Sequence, residues 1–254
     1  MMIFIIIIFI LLVIVGLVVL FVSNTVIKLN TIVIEDNKID KDIDVVFISD
    51  LHVGMNNKKK SLKKIIDLVN TMDGDYLFVG GDMVGYKPLK YYKEKELIEL
   101  LDAFKIKNRY FVEGNHDDFE YPLYNNFRIL NDEIVKLSEN IILLGLKREK
   151  DECLDYKLDS DNFNVLLSHY PDRVEEYSKI DLALGAHSHG NQINLPFCKF
   201  HHKEKYTRGM YNIKERTKLY VNKGLGFSLL KIRVFSCREI VKIELRRGGS
   251  NGNS

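Results

Sequence analysis

The segment Tyr110-Phe111-Val112-Glu113-Gly114-Asn115-His116-Asp117 joins an apolar run to a glycine and three polar side chains. The run 110–112 is typical of a buried strand, and Gly114 permits a sharp turn directly after it. Open α/β sheets place their chemistry at strand ends, so the segment predicts a strand that delivers polar groups to a site. Taken alone, the tetrapeptide 114–117 fits a polar loop with one exposed histidine equally well.

Four further apolar runs, at 45–48, 76–79, 164–167 and 180–184, are typical of buried strands and also end in polar groups. With the first segment included, five of the seven histidines directly follow such a run. Ordinary strand ends predict a mixture of Ser, Asn, Lys and Gly instead. The polar groups after the five runs are Asp50, His52, Asp82, Asn115, His116, His169, His187 and His189. His201 and His202 fall outside the pattern and are predicted to be an exposed loop pair.

The remaining pattern predicts an α/β fold. Residues 61–71 and a charged stretch through Phe104 have the apolar spacing of helices. Further strands are predicted at 27–35, 141–146, 219–221 and 240–245. Strands that alternate with helices, followed by a more strand-rich half, predict layers around packed sheets. We expect one soluble domain at 25–247 and a disordered Gly/Ser/Asn-rich tail at 248–254.

An uncharged apolar segment, Met2 to Val22, precedes the soluble domain. A helix of roughly 20 apolar residues can cross a bilayer, so residues 1–24 are predicted to be a transmembrane anchor. A cleaved signal peptide is the alternative, but it requires a basic start and a small-residue cleavage site. Nothing basic precedes the run, and Ser23-Asn24-Thr25 is a poor cleavage site. Lys28, Lys38 and Lys41 follow the run, and counted alone they would place the soluble domain in the cytoplasm.

Charge and cysteine content argue against two other classes of protein. Lys and Arg total 37 and Asp and Glu total 35, so the charge balance gives no general reason to expect nucleic acid as a partner. The sequence also lacks a basic stripe interleaved with aromatic residues, which is the pattern that indicates a nucleic-acid groove. Cys153, Cys198 and Cys237 are isolated from one another, which predicts neither a disulfide framework nor a zinc knuckle.

The polar groups at the strand ends predict a metal centre. Imidazole, carboxylate and amide oxygen together suit divalent transition metals such as Mn, Fe or Zn. The ligands are too many for one ion, whereas two metals about 3.5–4 Å apart that share a carboxylate would use them all. Such a pair can hold an activated hydroxide and clamp the oxygens of an in-line displacement at phosphorus.

The ordered motifs resemble those of the calcineurin-like metallophosphoesterases. The segments at 166–172, 189–196 and 219–226 are also similar to the bacterial branch that carries an N-terminal membrane or export segment. The resemblance covers roughly residues 27–247 and implies a four-layer α-β-β-α sandwich of two packed mixed sheets. The motifs that carry it are Asp50-Leu51-His52, Gly81-Asp82, Gly114-Asn115-His116-Asp117, His169 and His187-Ser188-His189.

The resemblance also implies a role for each residue. The implied metal ligands are Asp50, His52 and His189 for the first metal, Asn115, His169 and His187 for the second, and Asp82 as the bridge between them. His116 would act on the scissile phosphate, by stabilising charge or by protonating the leaving oxygen. The sequence departs from the family at Ala186, usually a glycine, and at Gly85, often an acid that supports the catalytic histidine. Asp117 and Asp118 are candidate replacements for that acid, or are solvated.

These features predict a membrane-anchored, dinuclear-metal phosphoesterase acting on phosphate mono- or diesters. About two dozen residues separate the apolar run from the first catalytic strand, and the strand predicted from Ile27 takes up part of them. The tether is therefore only a few residues long, which favours lipid-linked or membrane-proximal substrates. The resemblance to exported relatives favours the extracytoplasmic side. One alternative is a metallophosphoesterase acting on soluble nucleotides, and another is a non-catalytic, metal-stabilised interaction scaffold. Lys205, Arg208 and Asn191 are candidate phosphate contacts or ordinary surface residues.

Overall fold

The structure is a computed structural model that describes residues 1–54, 59–85, 92–117, 126–148, 158–195, 204–214, 216–228 and 231–249. The predictions made for Asp118, Cys153, Cys198, His201 and His202 lie outside these residues. Within them the chain forms three α-helices: α1 (Met2–Thr25), α2 (Lys59–Val69) and α3 (Glu94–Asp102). A 3₁₀ helix covers Pro171–Glu176.

The strands of the described residues form two mixed sheets of six strands each. The first sheet has the order β1-β12-β2-β3-β4-β5, and the second has the order β10-β11-β9-β8-β7-β6. In chain order the strands are β1 (Ile27–Asp36), β2 (Ile43–Ile48), β3 (Tyr76–Val79), β4 (Asn108–Phe111), β5 (Arg128–Ile129), β6 (Glu133–Lys136), β7 (Ile141–Gly145), β8 (Phe163–Leu167), β9 (Leu182–Gly185), β10 (Gly209–Asn212), β11 (Lys218–Val221) and β12 (Arg238–Arg247).

Apolar side chains from both sheets pack into one core between them. Phe47 and Phe78 of the first sheet lie in the same cluster as Leu143 and Val165 of the second. On the outer face of the first sheet, α2 and α3 pack their apolar sides onto a second cluster. The 3₁₀ helix contributes Val174 to a third cluster on the outer face of the second sheet. The predicted arrangement of two packed mixed sheets with helices outside is confirmed.

The amphipathic pattern explains why α2 forms and which way it faces. Its four buried side chains, Leu62, Ile65, Ile66 and Val69, follow the helical spacing of three and four residues. Lysines occupy much of the remaining surface. Fully burying one such aliphatic side chain stabilises the fold by roughly 1.5–3 kcal/mol, so the face as a whole commits the segment to a helix packed on the sheet.

Parallel pairing brings the polar strand ends to one region. β2, β3 and β4 are parallel neighbours, with Ile48 opposite Val79 and Val79 opposite Phe111. In the second sheet β8 and β9 are also parallel, with Leu167 opposite Leu184. Since the carboxyl ends of parallel strands meet at the same edge, the polar groups that follow them converge.

The chain between α1 and the first sheet is very short. α1 ends at Thr25 and β1 begins at Ile27, so Val26 alone separates them. Val26 is extended, with φ −80° and ψ 134°, and its N–H bonds to the Val22 carbonyl. β1 then pairs with β12 in parallel along its whole length. The apolar helix is therefore joined directly to the edge of a packed sheet.

Candidate metal centre

The first ligand group contains Asp50, His52, Asp82 and His189, all buried. Each residue offers one ligand atom, and the four atoms lie within 4.8 Å of one another. The two Nε2 atoms of His52 and His189 are 3.0 Å apart. His189 Nε2 lies 3.5 Å from Asp50 Oδ1, and His52 Nε2 lies 3.5 Å from Asp82 Oδ2. These atoms point into a common space of the size that one metal ion fills.

The second ligand group gathers around His169. Its Nε2 lies 3.2 Å from Asn115 Oδ1 and 3.1 Å from His187 Nδ1. The same nitrogen is 3.5 Å from Asp82 Oδ2, the oxygen that also faces His52. The seven ligands implied by the motifs therefore fall into two groups that share one carboxylate oxygen.

The loops that carry these ligands have an unusual backbone. Asp50, His52, Asp82, His187 and His189 adopt left-handed conformations, with φ of 47°, 45°, 51°, 70° and 51°. For residues with a side chain this conformation costs roughly 1–2 kcal/mol each. Such strain persists where the surrounding structure holds the loop, and it clusters at functional sites. The strained turns direct the side chains of neighbouring strand ends toward one another.

The electrostatics of the histidines suit metal binding. Burial lowers the pKa of His52 to about 3 and that of His187 to about 4. Burial also lowers the pKa of His169 and His189. The imidazoles are therefore neutral near pH 7, which is the form that binds metals. His169 Nδ1 lies 2.8 Å from the Gly80 carbonyl, which can accept only from a protonated Nδ1 and so leaves the Nε2 lone pair facing the ligands.

The two aspartates also fit a metal pair. Burial raises the pKa of Asp50 to about 7, and it raises the pKa of Asp82 well above its usual value. Among the described residues, Asp50 Oδ1 is buried and has no hydrogen-bond partner. A buried, unsatisfied carboxylate oxygen is costly, and coordination of a cation is one of the few ways to satisfy it. Two such carboxylates with four neutral imidazoles and one amide oxygen fit a pair of divalent transition metals.

His116 lies beside the ligand groups and does not join them. Its ring packs edge-on against His52 with 5.0 Å between ring centroids, and the residue is exposed. Its backbone N–H donates to Asp82 Oδ1 at 2.8 Å. A histidine held at the exposed rim of a metal site can reach a bound phosphate ester, as the proposed role requires.

The Asp117 carboxylate holds the loops together from behind. It is buried, and Oδ2 accepts from the backbone N–H groups of Asp82 at 2.6 Å and Gly114 at 2.9 Å. Oδ1 accepts from the Val84 N–H at 3.1 Å. These contacts fix Asp82 relative to the 114–117 turn. Gly85 packs closely against the His52 backbone, since a Cβ at position 85 would lie 3.3 Å from the His52 carbonyl oxygen.

Sequence reasoning missed other residues that support the site. Ser49 Oγ donates to Asp50 Oδ2 at 2.7 Å and lies 3.2 Å from Asn222 Oδ1. Arg233 is completely buried and donates to the His189 carbonyl at 3.1 Å. Asn222 lies inside the segment 219–226 and Ser49 directly precedes the motif that begins at Asp50, so both could have been noticed, whereas no pattern in the sequence points to Arg233. Of the candidate phosphate contacts, Lys205 forms an exposed ion pair with Glu175.

Comparison with known proteins identifies the family to which the chain is similar. The family model described as calcineurin-like phosphoesterase matches residues 43–191, more than half of the chain. An uncharacterized metallophosphoesterase of Campylobacter jejuni is 30% identical over 241 residues, which cover 86% of this chain and 63% of that protein. One of Bacillus subtilis is 28% identical over 229 residues, which cover 80% of this chain and 78% of that protein.

The name of a third similar protein specifies an enzymatic activity. The UDP-2,3-diacylglucosamine pyrophosphatase of Chlamydia muridarum is 33% identical over 132 residues. The match covers 45% of this chain and 40% of that protein. The match is 132 residues long, against 229 for the Bacillus protein.

Proposed function

Because the chain belongs to the calcineurin-like phosphoesterase family, we propose that it is a membrane-anchored, metal-dependent phosphoesterase that hydrolyses phosphate mono- or diesters. The observation that carries the proposal is the convergence of two ligand groups on one oxygen, Asp82 Oδ2, which lies 3.5 Å from both His52 Nε2 and His169 Nε2. A pair of divalent metals from among Mn, Fe and Zn fits these donors.

Each ligand group would hold one metal, and Asp82 would belong to both. When bound, the metals supply Lewis acidity toward phosphoryl oxygens and lower the pKa of water. The first metal would be held by Asp50, His52 and His189, and the second by Asn115, His169 and His187.

The rest of the site orients these groups and the substrate. Asp117 keeps the Asp82 loop against the 114–117 turn through its three backbone contacts. His116, fixed to Asp82 by its backbone N–H, would stabilise charge on the phosphate or donate a proton to the leaving oxygen.

The anchor part of the proposal rests on α1. It has 24 residues, none of them charged, and its apolar side chains are exposed along most of its length. At 1.5 Å per residue such a helix is about 36 Å long. The hydrocarbon core of a bilayer is about 30 Å thick, so the helix is long enough to span it. We propose that α1 anchors the domain with its catalytic face on the extracytoplasmic side.

Removing the apolar segment is expected to release the protein from membranes. The full chain should stay in the membrane fraction after washing with alkali, because α1 would be inserted in the lipid. Deletion of residues 3–22 retains Ser23 and Asn24, which contact the domain, and should yield protein in the soluble fraction. The measurement is the distribution of both forms after ultracentrifugation. If the full chain is expressed and the mature protein begins near Thr25, the apolar segment is a cleaved signal instead.

The position of the site supports a substrate at the membrane. Asn24, at the end of α1, exchanges two hydrogen bonds with the Arg233 backbone, and Arg233 donates to the His189 carbonyl. Arg233 thus links Asn24, at the end of the anchor, to His189, a proposed metal ligand. We propose that the substrate is a phosphate or pyrophosphate group on a membrane lipid or lipid-linked precursor. The name of the Chlamydia relative, a pyrophosphatase of a diacylated sugar nucleotide, supports this class.

Anchoring is expected to raise activity on membrane-borne esters alone. With Mn²⁺ supplied, the full chain in vesicles should hydrolyse a lipid-linked phosphate ester faster than the form lacking residues 3–22, because both partners share one surface. Both forms should hydrolyse a soluble ester such as p-nitrophenyl phosphate equally, which controls for damage to the site. Equal rates on the lipid ester, or hydrolysis of soluble nucleotides alone, would favour the nucleotide alternative. A chain that hydrolyses neither ester with metal bound would favour the non-catalytic scaffold.

A further inference from the structure

Arg233 is a buried cation with uncommon partners. Its side chain is 0% exposed, and its guanidinium lies 5.8 Å from the Phe227 ring centroid. Within the described residues its hydrogen bonds run to backbone carbonyls. Nη2 donates to the Gly226 carbonyl at 2.8 Å, and Nη1 donates to the His189 carbonyl at 3.1 Å. Burying a guanidinium is expensive, and here all its strongest contacts go to the loops of the metal centre.

These carbonyls belong to the segments that enclose the first ligand group. Gly224 packs so closely on Asp50 that a Cβ there would lie 2.7 Å from the Asp50 Cβ. A Cβ at Gly226 would lie 2.7 Å from the Asp50 carbonyl oxygen. Arg233 Nη2 also lies 3.4 Å from His189 Nδ1, on the side of the ring away from the ligands. The guanidinium therefore holds the main chain of His189 and packs against its ring, with Nε2 toward the other ligands.

The backbone of Arg233 is tied to the end of α1. Asn24 Nδ2 donates to the Arg233 carbonyl at 2.9 Å, and the Arg233 N–H donates to Asn24 Oδ1 at 2.8 Å. Two residues farther on, the Phe235 N–H donates to Ser23 Oγ at 3.1 Å. Ser23 is buried, although it belongs to the apolar helix. The last turn of α1 and the loop that carries Arg233 thus form one packed unit.

We propose that Arg233 is a positioning residue for metal binding at the first ligand group, and that the last turn of α1 acts on the same group through Asn24. The inference rests on the proposed function only in taking His189 as a metal ligand. The planar guanidinium has five donors in a fixed fork, which lets one side chain hold several loop carbonyls at once. Lysine retains the positive charge but lacks the planar set of donors. Arg233→Lys therefore distinguishes the effect of the hydrogen bonds from the effect of the charge. Loss of such supporting contacts typically weakens metal affinity about 10–100-fold.

Titration of the full chain in detergent with Mn²⁺, following free ion by electron paramagnetic resonance, tests the proposal. The native chain should show two affinities. Arg233→Lys should weaken one of them roughly 10–100-fold and leave the other unchanged. Asn24→Ala should weaken the same one by about 5-fold, near the lower end of typical coupling between linked sites. Thr25→Ala is the matched control and should leave both affinities unchanged. In the part of the chain that the structure describes, Thr25 Oγ1 donates only within the helix, to the Phe21 carbonyl at 2.7 Å.

A second background assigns the affected group. His187→Ala removes a ligand of the second group, so the remaining strong Mn²⁺ affinity belongs to the first, and Arg233→Lys or Asn24→Ala should weaken it there too. The proposal is overturned if Arg233→Lys lowers the melting temperature of the metal-free chain yet leaves both affinities as they were. Equal weakening of both affinities also overturns it, as does an Asn24→Ala chain that binds like Thr25→Ala. A native chain that binds fewer than two Mn²⁺ ions overturns the dinuclear function itself.

Discussion

Replacing Asp82 with alanine is expected to remove metal from both ligand groups and to abolish phosphoesterase activity. Asp82 Oδ2 lies 3.5 Å from a histidine of each group, and it is the one ligand atom that both groups share. Metal catalysis contributes several kcal/mol of transition-state stabilisation, so its loss should lower kcat by about 10³-fold or more. Elemental analysis after Mn²⁺ loading should give two metals per native chain and fewer than one in the variant.

Asp50→Ala is the matched control for Asp82→Ala. Both replacements remove a buried carboxylate, but Asp50 contacts the first ligand group alone. The control should therefore lose one metal and keep the one held by Asn115, His169 and His187. If Asp82→Ala also keeps one tightly bound metal, the two groups do not share their bridge, and the dinuclear arrangement is wrong.

Replacing His116 with alanine is expected to lower turnover by about 10²–10⁴-fold, the usual contribution of general acid catalysis, while the metal content stays near that of the native chain. His116 contacts the ligand Asp82 through its backbone N–H, which alanine retains. Its ring stacks edge-on to His52 at the exposed rim, where a substrate would enter. The change should therefore affect catalysis far more than metal binding.

The choice of substrate distinguishes the two roles of His116. Esters with acidic leaving groups need little protonation, so the loss from His116→Ala should shrink for p-nitrophenyl phosphate relative to an alkyl phosphate. The measurement is kcat for both esters with native and variant protein. An equal loss for both would assign charge stabilisation to His116 and exclude the acid role. Loss of metal in the variant would show instead that the residue belongs to the ligand set.

The sequence by itself determined which residues stand at the strand ends. Apolar runs such as 45–48 and 76–79 form strands because their side chains are buried on both faces, and the structure has strands there. Parallel strands end at a common edge, so polar groups after several of them must meet. This local rule explains why the family could be recognised, and candidate ligands proposed, from one chain. It also explains why the short strands β5, β6 and β10 were missed, since they have two to four residues and little buried pattern.

The tertiary structure alone decided how distant segments support the site. The Asp117 carboxylate, a candidate partner for His116, accepts from two backbone N–H groups of the Asp82 loop, 33 and 35 residues away in sequence, and from the Gly114 N–H. Asn24 meets Arg233 across 209 residues, and Arg233 reaches His189 across 44. No periodicity or motif encodes such pairs, because each depends on where the packed sheets bring the chain. Local patterns fix the direction of strands and the polarity of their ends, whereas hydrogen bonds across loops exist only once the sheets have packed.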